Sequence, residues 1–173
     1  DLENHLLELV DTEGAIAFLQ RLVQSDSQNP PGNEMQTALI IRKKLDEIGL
    51  MTEVQEVEPG RFNVIGLLAG ESEEQLLFNG HMDTVKTGDP NTWTKPPLGG
   101  LIENGRLYGR GACDMKSGLA AMIFAIEALV KCGITPHKSI LFTAVIDEEV
   151  FFKGTRALIA TGNLSTAPEL MSV

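Results

Sequence analysis

The chain has few basic residues for its length, and this shortage excludes several classes of partner. Its 173 residues include 14 Lys and Arg against 24 Asp and Glu, which gives a formal net charge of −10 at pH 7. Binding to nucleic-acid phosphates or to anionic membrane surfaces needs clustered basic side chains, and the sequence contains no such cluster. We therefore expect neither nucleic acid nor a membrane among the partners of this protein.

Cysteines and long apolar runs are also scarce. The separation of the two cysteines, Cys113 and Cys132, matches neither a zinc knuckle nor a redox pair. The apolar run 119–130 is too short to cross a bilayer, which takes about 20 residues. These features predict a protein of a reducing compartment, and we expect a cytoplasmic location.

The length and the hydrophobic content predict one α/β domain. The chain has the size of a single domain, and its 43% hydrophobic content is enough to bury a core. Apolar positions at three- and four-residue steps predict helices, whereas alternating or continuous apolar runs predict strands. The predicted helices are residues 2–23 (one interrupted helix or two short ones), 34–48 with Asn33 as the N-cap, and 154–160. The predicted strands are 51–57, 62–68, 76–78, 139–146 and 169–173. A hairpin is predicted at 101–108 and a loop at 161–168.

The sequence is organised around residues 109–118, which read GRGACDMKSG. A short apolar run leads into this motif, and the apolar run 119–130 leads out of it. The pattern predicts a strand, a glycine turn and a buried helix. Gly109 and Gly111 allow the backbone to bend tightly, which would place Asp114 at the start of the helix.

Two types of ligand compete as the explanation for Asp114. The spacing Gly109-x-Gly111-x-x-Asp114 begins like a dinucleotide fingerprint, in which amides at a helix start bind a pyrophosphate. A carboxylate in place of the third glycine would repel a phosphate and fill the space it needs. The alternative is a metal site, because the two oxygens of one carboxylate can hold two cations.

Further candidate ligands follow two other strand-like segments. The cluster 81–83, with His81 and Asp83, follows one predicted strand, and the cluster 147–149, with its three acidic residues, follows another. In open α/β sheets, functional groups gather at the carboxyl ends of the strands. We therefore expect these clusters and Asp114 to converge on one crevice.

The positions of the side chains along these segments indicate separate roles. Neighbouring side chains of an extended segment point to opposite sides, so Glu148 and Glu149 can do different work, whereas His81 and Asp83 can share a side. The alternative is an ordinary core histidine beside a surface aspartate.

The sequence alone does not decide the roles of several other polar and aromatic residues. The loop 84–100 is rich in proline and glycine and contains the only tryptophan, Trp93, which either forms a crevice wall or pins the loop. Arg110 and Lys116 either contact a substrate or are structural. His5 is expected to face solvent or cap a helix.

Three motifs together resemble the metal-dependent aminoacylase and carboxypeptidase G family, which includes acetylornithine deacetylase and succinyl-diaminopimelate desuccinylase. They are HMDTV at 81–85, GRGACDMKSG at 109–118 and DEE at 147–149, and the resemblance begins with SQNPPGNE at 27–34. It implies a zinc-peptidase-like catalytic domain with a three-layer α/β/α fold and a mixed, mostly parallel central sheet.

The resemblance also implies a role for each motif residue. His81 is similar to a terminal ligand of the first metal, Asp114 to the carboxylate that bridges both metals, and Glu149 to a ligand of the second metal. Glu148 resembles the general base, and Asp83 resembles the acid that orients the ligand histidine. The family commonly has a cis peptide after the bridging aspartate, so we expect one at Asp114–Met115.

The function implied by the resemblance is hydrolysis of the amide bond of an N-acyl amino acid by a water that two Zn²⁺ ions activate, with Co²⁺ or Mn²⁺ as possible substitutes. A carboxypeptidase or dipeptidase acting on short peptides is the alternative within the family. A non-catalytic relative used for binding or assembly is the alternative outside it.

The sequence departs from the family pattern in what it lacks. The remaining metal ligands, the lid or dimerisation domain and the groups that bind the substrate carboxylate have no counterpart within residues 1–173. We therefore expect residues 1–173 to be a partial catalytic domain that alone binds zinc weakly, turns over little and exposes apolar sheet surface. The full-length parent is expected to be a homodimer.

Overall fold

The structure is a computed structural model, and it describes residues 1–162 and 169–172. Its helices are α1 (Leu2–Leu9), α2 (Thr12–Gln24), α3 (Met35–Glu47), α4 (Ser117–Cys132) and α5 (Lys153–Ala160). Its strands are β1 (Met51–Glu58), β2 (Arg61–Leu68), β3 (Ser72–His81), β4 (Leu101–Glu103), β5 (Arg106–Tyr108), β6 (Lys138–Val145) and β7 (Glu169–Ser172). Within the described ranges, no helix is long and apolar enough to cross a membrane.

One five-stranded sheet organises the fold, with the strand order β1-β2-β6-β3-β7. Strand β3 runs parallel to β6 and to β7, whereas β2 runs antiparallel to β6 and to β1. The predicted α/β class with a mixed sheet is confirmed. Because His81 pairs with Val145 at the ends of β3 and β6, the segments that follow these two strands leave the sheet side by side.

Helices cover both faces of the sheet, as the three-layer expectation requires. On one face, α2, α3 and α4 bury the larger core against β6 residues such as Phe142 and Ala144. On the other face, Leu158 of α5 packs with Leu141 and Val145 in a smaller core. Strand β6 therefore buries both of its faces, which explains its continuous apolar sequence.

Several predicted boundaries are corrected by the structure. Helix α3 begins at Met35 after Glu34, so the prediction of Asn33 as N-cap is wrong. The Glu34 carboxylate makes no cap and instead binds the Arg61 guanidinium at 2.5 and 2.9 Å. Strand β3 begins at Ser72 rather than at residue 76, because its first part also pairs with β6.

The remaining predicted elements are present wherever the structure describes the corresponding residues. Residues 2–23 form two helices, and the hairpin at 101–108 turns through Asn104 and Gly105 with positive φ of 52° and 73°. Residues 163–168 of the predicted loop, and Val173 of the predicted last strand, lie outside the described residues.

Lys116 is a structural residue in this fold. Its side chain is buried, and its Nζ donates to the backbone oxygens of Leu22 at 2.7 Å and Ser25 at 2.8 Å. Burial lowers the pKa of the Lys116 ammonium to about 8, although the charge of Asp26 opposes this shift. The lysine thus fastens the end of α2 to the segment that contains Asp114.

We predict that Lys116→Met lowers the free energy of unfolding by about 2 kcal/mol, because two buried carbonyl groups lose a charged donor while the packing volume is kept. Denaturant unfolding of the purified chain measures this change. The control is Lys86→Met, since Lys86 is exposed. A loss below about 0.5 kcal/mol, as for an ordinary surface substitution, would contradict the structural role of Lys116.

Candidate metal centre

The three polar clusters of the sequence meet beside the ends of β3 and β6. His81 is the last residue of β3, Glu149 follows β6, and Asp114 lies in the irregular turn Ala112–Lys116 before α4. One ligand atom from each of these side chains lies within 4.8 Å of the other two. The expected convergence on one crevice is therefore observed.

The glycine turn before α4 brings Asp114 to this position. Gly111 has a φ of 78°, and a Cβ atom there would lie 2.5 Å from Cγ2 of Thr84. A side chain at residue 111 would therefore push the turn away from the segment that follows His81. Asp114 and Met115 have non-helical backbone angles, and the peptide between them is cis, as expected.

The His81 ring is held in one orientation by Asp83. Its Nδ1 lies 2.9 Å from the backbone oxygen of Asp83, which can only accept, so Nδ1 carries a proton. Its Nε2 lies 3.1 Å from Oδ1 of Asp114 and 3.7 Å from Oε2 of Glu148. Nε2 is therefore the ring nitrogen that faces Asp114 and Glu148.

The charges around His81 favour its protonated form. Burial alone would lower the pKa of the imidazole, but the hydrogen bonds and the charge of Asp83 more than offset this effect and raise the pKa to about 9. For Asp83, burial alone would raise the pKa, and the contacts with His81 and Asn29 lower it instead. Without a metal, these contacts favour a second proton on the ring, at Nε2, and a metal that binds there has to displace that proton.

Asp83 lies behind His81 and has no exposed surface. Its carboxylate accepts the backbone N–H groups of Glu148 at 3.1 Å and Glu149 at 3.2 Å. It also accepts a hydrogen bond from the side chain of Asn29 at 2.9 Å. Asp83 thus joins the segment after β3 to the segment after β6.

The two neighbouring glutamates occupy different places, as their adjacency predicts. Glu149 belongs to the group with His81 and Asp114, and burial raises the pKa of its carboxyl. Glu148 is not in that group, and 38% of its side chain is exposed. A cleft of about 210 Å³ beside it is lined by Asn79, Gly80, His81, Asp114, Met115, Val145 and Glu148.

Two residues near the site, Asn29 and Asp147, lie within the motifs quoted from the sequence, but no role was predicted for either of them. Asn29 lies in a proline-rich loop, and its Nδ2 also donates to Oδ1 of Asp147 at 2.8 Å. Asp147 is buried, has a positive φ of 64°, and lies 3.4 Å from the Arg61 guanidinium. The sequence signals were the position of Asp147 beside the two glutamates and the position of Asn29 within the motif SQNPPGNE at 27–34.

The loop 84–100 is fixed through Trp93. The indole Nε1 donates to the backbone oxygen of Thr87 at 2.8 Å, and the Arg110 guanidinium stacks on the ring at 5.1 Å from its centre. These contacts favour the pinning role of Trp93, with Arg110 packed against it.

The donor set fits a divalent metal. Imidazole nitrogens and carboxylate oxygens are among the ligands that Zn²⁺ uses in proteins, and Co²⁺ and Mn²⁺ accept similar ligands. Asp83 gives the histidine the hydrogen-bonded support on its far nitrogen that metal-binding histidines usually have. Of the described residues, His81, Asp114 and Glu149 form the one group of this kind.

Comparison with known proteins finds relatives that cover most of this chain. At the sequence level, the chain is 32% identical over 154 residues to N-formyl-4-amino-5-aminomethyl-2-methylpyrimidine deformylase from Halalkalibacterium halodurans. It is 35% identical over 161 residues to succinyl-diaminopimelate desuccinylase from Pseudoalteromonas translucida. Each match covers 87% of this chain but only 36% and 39% of the relative, so the chain spans little more than a third of their lengths.

Solved structures share the fold at lower identity. The M20 family metallo-carboxypeptidase Sso-CP2 from Sulfolobus solfataricus superposes with a TM-score of 0.81 at 20% identity, over 91% of this chain and 36% of that one. Human carnosine dipeptidase 1 superposes with a TM-score of 0.84 at 18% identity, over 99% of this chain and 40% of that one.

The profile of peptidase family M20/M25/M40 matches residues 77–171, which is more than half of the chain. The matched region contains all five residues of the predicted site: His81, Asp83, Asp114, Glu148 and Glu149. The resemblance drawn from the three motifs is thereby confirmed, and the chain belongs to peptidase family M20/M25/M40.

Proposed function

We propose that this chain supplies part of the active site of a metal-dependent hydrolase that cleaves the amide bond of N-acyl amino acids. The grouping of His81, Asp114 and Glu149 is the observation that carries the proposal. The names of the two sequence relatives, a deformylase and a desuccinylase, support removal of an acyl group. Because the chain spans little more than a third of those relatives, the proposal concerns the protein to which these residues contribute.

The proposed ligands have distinct roles. His81 would hold one metal ion, Glu149 would hold a second, and the carboxylate of Asp114 would be shared by both. Zn²⁺ is the proposed ion, and Co²⁺ or Mn²⁺ suit the same donors. When bound, such an ion supplies Lewis acidity and lowers the pKa of a coordinated water.

Residues of this chain orient the ligands and move the proton. Asp83 keeps the proton of His81 on Nδ1 and so leaves Nε2 for the metal. Glu148 takes a proton from the water that attacks the amide carbonyl carbon. When the carbon–nitrogen bond breaks, Glu148 returns that proton to the leaving nitrogen. The partial exposure of its carboxylate beside the cleft supports this role, since a proton carrier must reach the reacting groups.

A carboxypeptidase or dipeptidase that acts on short peptides is the second candidate within the family. The two solved structures above carry such names, but their identities of 18 to 20% show only the common fold. Rates on N-formyl, N-acetyl and N-succinyl amino acids, compared with rates on dipeptides, separate the two candidates. A non-catalytic relative would hydrolyse neither group. Homodimer formation and a cytoplasmic location also remain proposals.

We predict that the chain binds Zn²⁺ weakly and that Asp114→Asn reduces the affinity at least tenfold, because a charged ligand is lost. Isothermal titration calorimetry measures both affinities. The matched control is Asp89→Asn. Asp89 is an exposed loop residue, and the side-chain oxygen of an asparagine there can still accept the capping hydrogen bond from the backbone N–H of Asn91. Equal affinities of the wild-type and Asp114→Asn chains, or no zinc binding at all, would refute the proposed ligand set.

We predict that Glu148→Gln leaves the zinc affinity within about threefold of wild type but lowers kcat by a factor of about 10²–10⁴, the usual contribution of a general base. Hydrolysis is assayed with the 173-residue chain and, where its gene encodes a longer protein, with that protein. The isolated chain is expected to turn over little, since the described residues supply three candidate ligands for two metal ions. Activity that survives the substitution would exclude Glu148 as the base.

A further inference from the structure

Two buried carboxylates near the candidate metal centre share one donor. Asp83 and Asp147 are 0% and 1% exposed, and both accept a hydrogen bond from Nδ2 of Asn29, at 2.9 Å and 2.8 Å. A side-chain amide nitrogen has two hydrogens, so these two bonds use its full donor capacity. A neutral donor therefore lies between two buried carboxyl groups and hydrogen-bonds to both.

Asn29 is itself held firmly against the segment that follows His81. Its side chain and backbone are buried, and its backbone N–H donates to the oxygen of Thr84 at 2.8 Å. The backbone N–H of Thr84 in turn donates to the oxygen of Ser27 at 3.0 Å. The loop with Asn29 thus runs alongside the residues that directly follow Asp83.

The far end of the same loop is clamped by a buried ion pair. Arg61 binds Glu34 through two hydrogen bonds, and a Cβ atom on Gly32 would lie 2.2 Å from Cζ of Arg61. The loop therefore packs directly on the guanidinium, which also lies 3.4 Å from Asp147. Both attachments limit where the amide of Asn29 can lie.

The two carboxylates hold the segment that carries Glu148 and Glu149. The Asp83 carboxylate accepts the backbone N–H groups of Glu148 and Glu149, and the Asp147 carboxylate accepts the backbone N–H of Lys153 at 3.4 Å. A displacement of either aspartate would therefore displace this segment relative to His81. We propose that Asn29 is a positioning residue, whose amide bridges Asp83 and Asp147 and thereby fixes Glu148 and Glu149 at the candidate metal centre.

Only the consequence for metal binding rests on the proposed function, since the hydrogen bonds themselves belong to the metal-free chain. An aspartate at residue 29 would have the same shape as asparagine but would place a third carboxylate between the other two. An alanine would remove both hydrogen bonds without adding a charge. The two substitutions therefore separate loss of the donor from added repulsion.

The first test is amide hydrogen exchange of the metal-free chain, followed residue by residue by NMR. In Asn29→Ala, the amides of Glu148 and Glu149 are expected to exchange at least tenfold faster, and in Asn29→Asp faster still. The amide of Ile146, which donates to Oδ1 of Asn63, serves as the internal reference and should keep its rate. The matched control is Asn91→Ala, because Asn91 also donates to an aspartate but is exposed.

Three outcomes of the exchange experiment overturn the proposal. Unchanged rates at Glu148 and Glu149 would show that the bridge does not hold them. A uniform rise that includes Ile146, or failure of both Asn29 variants to fold, would assign Asn29 a general structural role instead.

The second test is Co²⁺ binding, read from the dissociation constant and from the visible absorption spectrum of the bound ion. We expect Asn29→Ala to weaken Co²⁺ binding by about 10- to 100-fold, the usual effect of removing a support of metal ligands, and to alter the spectrum. If the wild-type chain binds Co²⁺ and the variant binds it equally well with the same spectrum, the positioning role fails while the metal centre stands. If the wild-type chain binds none, the metal centre fails, and the exchange rates alone decide the positioning role.

Discussion

The buried carboxylate of Asp83 is the interaction on which the site depends. It contacts the ring of His81 from one side and accepts the backbone N–H groups of Glu148 and Glu149 from the other. These groups come from two strands that leave the sheet side by side, and their relative position is set by hydrogen bonds to one side chain. The alignment of the sheet brings the segments near each other, and Asp83 determines their final geometry.

Several buried ionisable side chains around the site have identifiable hydrogen-bonding partners. Glu34 binds Arg61, Lys116 binds two backbone oxygens, and Asp83 and Asp147 share the amide of Asn29. Burying a charge is costly, and such pairs often add little net stability compared with apolar residues of similar size. Their geometric effect is clearer, because each pair joins segments that carry or support the candidate ligands.

Much of the fold and the candidate ligands could be predicted because their signals are local. Glycines at 109 and 111 indicated the turn before α4, and polar clusters after apolar runs indicated groups at the ends of strands. The N-cap at Asn33 was wrong because a tertiary pair between Glu34 and Arg61 decides that helix start. The start of β3 was missed for a similar reason, since its first residues pair with a strand much later in the chain.

The supporting residues could not be predicted because their partners are distant and follow no repeating pattern. Asn29 and Asp147 are 118 residues apart, and Lys116 binds a carbonyl 94 residues earlier. No periodicity of the sequence indicates that an asparagine in a proline-rich loop lies between two buried aspartates. Such contacts depend on the folded arrangement of the loop against the sheet.

X-ray absorption spectroscopy of the zinc-loaded chain tests the central claim most directly, because it identifies the atoms bound to the metal. Our account predicts only nitrogen and oxygen ligands at about 2.0–2.2 Å, including the signature of the His81 imidazole. The exposed Cys113, which neighbours Asp114, provides the sharpest alternative. A sulfur ligand at about 2.3 Å, or a shell of oxygen atoms without imidazole, would contradict the assignment of His81, Asp114 and Glu149 as the metal ligands.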